Sequence, residues 1–126
     1  MRLFLRIVPV VIIMGTIFLL SHQPGDTLPL PAFPGSDKVA HMMAYAALAA
    51  AVLWFFGKEG IKNQKTTIFW TVLFCLCYGI SDEFHQSFIP HRSVSGLDLL
   101  ADTAGAALIT ALWFCNTWIK KKISVL

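Results

Sequence analysis

Thr67-Ile68-Phe69-Trp70-Thr71-Val72-Leu73-Phe74-Cys75-Leu76-Cys77-Tyr78-Gly79-Ile80-Ser81-Asp82-Glu83-Phe84-His85-Gln86 is the stretch on which the fold turns. It stays apolar through Ile80, long enough to enter a bilayer, and then meets two adjacent carboxylates. A charge at the centre of a spanning helix costs roughly 2.5–3.5 kcal/mol on insertion scales. A chain that carries several near one depth has a use for them. Three further apolar runs surround this one, so the expectation is an all-α, four-helix transmembrane bundle.

Composition agrees. The chain has 126 residues, is 56% hydrophobic and only 13% charged, against about 25% charged in ordinary soluble domains. A single membrane domain over 1–126 follows, with spans near 3–20, 38–57, 66–84 and 97–119. The first run follows Arg2 and contains Arg6, whose long side chain can snorkel to the near surface. A signal peptide is the alternative reading, but His22-Gln23 after Ser21 makes a weak cleavage pattern, so an uncleaved helix is expected. Pro24, Pro29, Pro31 and Pro34 then enforce a loop. Ser36 is placed to cap the second helix, and Gly57 and Gly60 bracket a short basic turn. Pro90 stops the third helix, and Ser95 is placed to cap the fourth.

Lysine and arginine counts set the orientation. Arg2, Arg6, Lys58, Lys62, Lys65, Lys120, Lys121 and Lys122 are eight of the ten basic residues, and all fall on one side of the four spans. That side is expected to be cytoplasmic, together with both termini. Six of seven acidic residues, all but Glu59, and all four histidines then face the extracytoplasmic side. The net charge of +3 does not imply a nucleic-acid partner, because three of the lysines are the tail run Lys120 to Lys122 and no basic face interleaves with aromatics. Cys75, Cys77 and Cys115 lie in apolar runs without a metal-ligand or disulfide pattern and read as small buried residues.

Helix rise gives a depth gauge of about 1.5 Å per residue. From the cytoplasmic ends of their spans, His41 and Asp82 lie roughly 24 Å away and Asp102 about 26 Å. The three fall at one level, just inside the outer face of a core about 30 Å thick. Asp37, His41 and Tyr45 share one stripe of the second helix, Asp82 and Gln86 one face of the third, and Asp98 and Asp102 one face of the fourth. A pocket between helices two, three and four is expected, roofed by the proline-rich and Pro90–Ser95 loops. Bland readings stand beside this. Asp98, three residues after Ser95, fits a capping box; Asp37 fits a solvated helix start; His41 fits a packing histidine; Lys38 and Arg92 fit simple neutralisation of nearby carboxylates. Asp82, Glu83 and Asp102 resist such readings: the first two sit near a helix C-terminus, where the dipole disfavours anions, and Asp102 lies beyond the capping position. Ala101 and Gly105 form a small-x-x-x-small pair that lets another helix approach closely.

Ser36-Asp37-Lys38, His41, Tyr45, Asp82-Glu83, Gln86, Phe88, Pro90, Arg92, Asp98 and Gly105 together resemble the VanZ-like family of small bacterial membrane proteins, over roughly Ser21 to Leu112. Where that family often has Asn, this chain has Asp102. The resemblance implies a protein of the bacterial cytoplasmic membrane. Its named member is associated with low-level resistance to teicoplanin, which targets lipid-linked cell-wall precursors.

Three functions are compatible with the residues. In the first, the polar end acts on a lipid or lipid-linked cell-wall intermediate at the outer leaflet. Asp82, Glu83, His41 and Asp102 would supply acid–base chemistry, and Lys38, Tyr45, Gln86, Arg92 and Asp98 would hold substrate. The paired carboxylates also suit a divalent cation such as Mg²⁺ or Ca²⁺. In the second, the same groups bind or organise lipids without turnover. In the third, the chain is a small transporter subunit, a reading weakened by the lack of comparable groups at the midplane.

Overall fold

The computed structural model describes residues 2–27, 31 and 33–123, without the side chains of Arg2, Leu3, Lys58 and Glu59. Pro29 of the proline-rich loop lies outside the described residues. Four helices follow one another: α1 (Arg2–Ser21), α2 (Ser36–Lys62), α3 (Gln64–Gln86) and α4 (Gly96–Ile123). Each is long and apolar enough to cross a membrane. Their outer surfaces expose large apolar side chains, among them Leu19, Trp54, Trp70, Phe84 and Leu108. Such a surface suits hydrocarbon, not water. This is a multi-pass membrane protein.

α2 is the hub. It packs along α4 most extensively, and also against α1 and α3; α1 touches α2 and, lightly, α3. The α2–α4 approach is close because Gly105 faces the Met42 carbonyl, where a Cβ would overlap backbone atoms. The small-residue stripe expected of the fourth helix thus meets α2. The core comprises Tyr45, Leu48, Ala49 and Val52 of α2, with Val10, Ile17, Cys75 and Ala106 from its neighbours. All three cysteines are free; Cys75 is buried, whereas Cys77 and Cys115 are exposed, contrary to the expectation that all are buried. In a bilayer those two thiols sit on the lipid-facing surface, where a small apolar group is equally at home.

Helix limits differ from the sequence-based ones at the basic end. α3 starts at Gln64, because Gln64 Nε2 donates to Thr117 Oγ1 at 2.6 Å and ties its first turn to α4. α4 runs past Ile119 to Ile123, since Lys120, Lys121 and Lys122 suit a helix C-terminus and Lys122 lies over the Trp118 ring. In α2 the helix breaks at Gly57 (φ 56°, ψ −135°), a conformation reserved for glycine, and then resumes to Lys62. The Arg6 guanidinium sits in the space beside Gly57 that a side chain would fill. The start of α1 and the Gly57 break therefore share one end of the bundle, opposite the Ser21–Ser36 and Ser87–Ser95 connections.

Gly105→Leu should lower thermal stability in detergent by the equivalent of about 1–3 kcal/mol, as overpacking does. Gly15→Ala, at a site where a Cβ meets nothing within 4 Å, should leave the midpoint nearly unchanged. Fluorescence-detected thermal unfolding compares the two.

Candidate functional site

The polar residues gather at the end of the bundle away from Gly57, and four carboxylates there are buried: Asp82, Glu83, Asp98 and Asp102. Each finds a partner on another segment. Asp82 accepts from Ser21 Oγ of α1 at 2.9 Å and from Gln86 Nε2 at 3.0 Å. Gln86 also donates to Ser21 Oγ at 3.2 Å, closing a buried triangle. Glu83 Oε2 accepts the backbone N–H of Ser95 at 2.9 Å. Asp98 takes Lys38 Nζ of α2 at 2.7 Å, and Lys38 reaches Asp37 at the same distance. Asp102, fully buried, meets His41 Nδ1 of α2 at 2.9 Å. An ionised carboxylate only accepts, so the His41 Nδ1–H donates.

Local sequence explains these placements. Ser95 Oγ accepts the Leu97 N–H, as an N-cap does. The capping box with Asp98 does not form, because Glu83 arrives from α3 to take the Ser95 N–H, leaving Asp98 to Lys38. Glu83 thereby sits at the start of α4, where the dipole favours an anion and offsets its awkward place near the end of α3. Gly79, one turn below Glu83, opens the room for Asp102: a Cβ there would lie 3.0 Å from Asp102 Oδ2 and 3.5 Å from the Tyr45 ring.

The grouping differs from the expected one in three ways. Asp82 leaves the pocket expected between helices two, three and four and turns toward α1, while Glu83, about 100° around the helix, turns toward α4. His41, Glu83 and Asp102 instead form the compact set, each with a ligand-capable atom within 4.8 Å of the others. Arg92 does not neutralise a carboxylate. Its Nη2 and Nε donate to the Leu20 and Gln23 carbonyls at 2.8 and 3.2 Å, capping the end of α1. Tyr45 is buried in the core, its hydroxyl without a hydrogen-bond partner among the described residues.

Two groups went unrecognised in the sequence. Ser21 was read as a loop boundary, yet it supplies the buried donor to Asp82; the signal was a hydroxyl at the end of an apolar run, level with Asp82. His22 and His85 face each other at 3.2 Å, with Phe18 against His85. Neither the chain separation nor any motif announced that contact. Over the buried set lies a cavity of about 150 Å³ lined by Gly25, Asp37, His41, Gln86, Arg92 and Asp98, among others. It is roofed as expected: Gly25 N–H donates to the Pro90 carbonyl at 3.2 Å, joining the two connections.

The VanZ/LLP1 family model matches residues 5–119, which takes in all four helices. The chain belongs to the VanZ/LLP1 family. That family is associated with teicoplanin resistance. The chain is also similar to an uncharacterized protein of Schizosaccharomyces pombe, 29% identical over 97 residues, which cover 76% of this chain and 57% of the yeast protein. This chain therefore spans little more than half the length of that relative. A fungal relative means that a bacterial source does not follow from family membership. No solved structure matches the chain.

Ser21→Ala should destabilise the protein by about 1–3 kcal/mol, because it removes one of two donors from a buried carboxylate. Ser81→Ala, at an exposed position whose hydroxyl bonds only the Tyr78 carbonyl, should cost far less. Parallel unfolding in detergent would show the difference.

Proposed function

We propose that this VanZ/LLP1 protein is an inner-membrane protein that acts on the head group of a lipid or lipid-linked cell-wall intermediate. Its polar end faces the extracytoplasmic side. The observation that carries the reading is the His41–Asp102 pair beneath the small polar cavity, with Glu83 beside it. Asp102 fixes the His41 ring through Nδ1, which leaves Nε2 as the basic nitrogen of the ring. A histidine so oriented suits general acid–base work on a group lodged above it. Glu83 has one oxygen on Ser95 and one without a partner among the described residues, so it can take or give a proton in the same space. Gln86, Arg92 and Asp98 line the site, and Lys38 is bound to the lining residues Asp37 and Asp98, so these groups shape the space for a head group.

The orientation rests on charge. Arg6, Lys62, Lys65, Lys120, Lys121 and Lys122 cluster at the end opposite the site, as the positive-inside tendency requires of a cytoplasmic face. A second reading, lipid binding without turnover, draws on a separate feature. Ile7, Val10, Met14, Val52, Phe55 and Trp70 help line an apolar cleft of about 770 Å³ between α1, α2 and α3. A cleft of that character can seat an acyl chain.

Two measurements bear on this reading. In a background with Cys75, Cys77 and Cys115 replaced, Val94→Cys should react with an impermeant maleimide in intact cells, and Ile123→Cys only after permeabilisation. The reverse pattern would overturn the orientation. Mass spectrometry of envelope lipids should show a difference between deletion and wild-type cells that His41→Ala fails to restore at equal membrane levels. Full restoration by His41→Ala would defeat the acid–base reading, and saturable lipid binding by purified protein without new product would favour the second.

A further inference from the structure

We infer that His41, Glu83 and Asp102 form a binding site for one divalent transition-metal ion, of the Zn²⁺, Mn²⁺ or Co²⁺ class. The inference begins with the spacing. One ligand-capable atom from each residue lies within 4.8 Å of the other two, so an ion that takes the place of the proton between His41 Nδ1 and Asp102 is reached at about 2.0–2.2 Å by side-chain rotation. The three residues come from α2, α3 and α4, so they converge by packing and not by a local loop.

The second observation concerns unsatisfied atoms. Glu83 is 6% exposed and Asp102 0% exposed, and Glu83 Oε1 and Asp102 Oδ2 have no hydrogen-bond partner among the described residues. A buried carboxylate oxygen without a donor is expensive, and metal coordination is one of the few ways to satisfy it. The other buried carboxylate of α3 is the contrast. Asp82 sits one residue from Glu83, yet it is provided with Ser21 and Gln86 and needs nothing further.

Charge points the same way. In their ionised forms Asp82, Glu83, Asp98 and Asp102 bring four buried negative charges, and among the described ion pairs Lys38 brings one positive charge to them. With His41 neutral, four minus one leaves three negative charges at membrane depth. Arg92 is directed to backbone carbonyls. A dication in the His41 set lowers the excess from three to one without moving any helix. The donor set selects the class. One imidazole with two carboxylates suits zinc, manganese or cobalt better than calcium or magnesium, which prefer oxygen alone. Three protein ligands also leave a coordination position open, as in catalytic zinc sites. His41 both belongs to the set and lines the polar cavity, so that position has a route to a ligand. The metal site draws on the same His41–Asp102 pair, so the ion-free protein is the form to which the acid–base reading above applies.

Full-length protein purified in detergent without chelator should carry about one equivalent of a first-row transition metal by elemental analysis. After stripping, Co²⁺ should return it to one equivalent, with a visible absorption band and a raised unfolding temperature. Glu83→Gln and Asp102→Asn should each weaken Co²⁺ binding by at least about tenfold, the scale on which changes at metal sites are felt. Asp82→Asn, outside the set, should bind as wild type does. The Co²⁺ titration of the wild-type chain decides the matter even if a variant fails to fold: no band and no thermal shift would refute the site. Retention of full Co²⁺ affinity by Glu83→Gln would also overturn it. These readouts involve no lipid turnover, so a metal-binding protein inactive on lipids, and a lipid enzyme without metal, give distinct results.

Discussion

Buried carboxylates hold the four helices together at one end of the bundle, reaching α1, α2 and the start of α4 between them. Asp82 of α3 is tied to Ser21 of α1, Glu83 of α3 to the cap of α4, and Asp98 and Asp102 of α4 to Lys38 and His41 of α2. In hydrocarbon there is no water to solvate a charged oxygen, so helix docking must deliver the partner. Apolar side chains cannot impose the same registry, since lipid tails satisfy them as well as a neighbouring helix does. The carboxylates therefore fix the relative heights of the helices, and a slip of one turn would strand each of them.

The basic end is built differently. Thr67, Thr71 and Thr110 are buried there or toward the middle; Thr71 and Thr110 bond carbonyls of their own helices, and Thr67 bonds the Asn63 carbonyl and, at 3.3 Å, the Gly60 carbonyl of α2. The other inter-helix hydrogen bond at that end among the described residues is Gln64 to Thr117. The Gly57 break and the lysine-rich turn interrupt the helical run at the same level. One end is thus specified by charged and polar contacts between helices, the other by shape. A site that must hold side chains within a fraction of an ångström belongs at the first end, where the polar groups restrict one another.

Much of this architecture was legible because its signals are local. Apolar runs, Pro90, Ser95 and the lysine bias are read within a few residues, and they define four helices and their connections. Depth along a helix is also legible, since rise per residue is fixed, and it brought His41, Asp82 and Asp102 to one level. The azimuth of each helix is not legible in the same way. The angle of about 100° between Asp82 and Glu83 follows from 3.6 residues per turn, but which neighbour each then meets does not. Pairing across the chain was invisible for the same reason: the Ser95 N–H could go to Asp98 by a familiar local pattern, and only the approach of α3 shows Glu83 taking it. Arg92 and Lys38 looked alike as cations, but one meets carbonyls and the other carboxylates.

Asp102 carries the strongest consequence of this difference between level and direction. An Asn at position 102 would still accept the His41 Nδ1–H through its side-chain oxygen. The orientation of the ring does not need a charge. What the carboxylate adds is a negative charge with zero exposure, beside Gly79, which has no side chain to stand in its way. A charge that geometry does not require, kept in a place where it is most costly, must be balanced by something that enters the same space. Lys38 is held by Asp37 and Asp98, and Arg92 by the end of α1, so neither is directed to Asp102. The balance comes from Asp102 taking a proton itself, from His41 taking a second proton, or from a cation arriving at the set. A proton on the ring or on Asp102 answers Asp102 alone and leaves Glu83 Oε1 without a donor, whereas a bound cation answers both carboxylates at once.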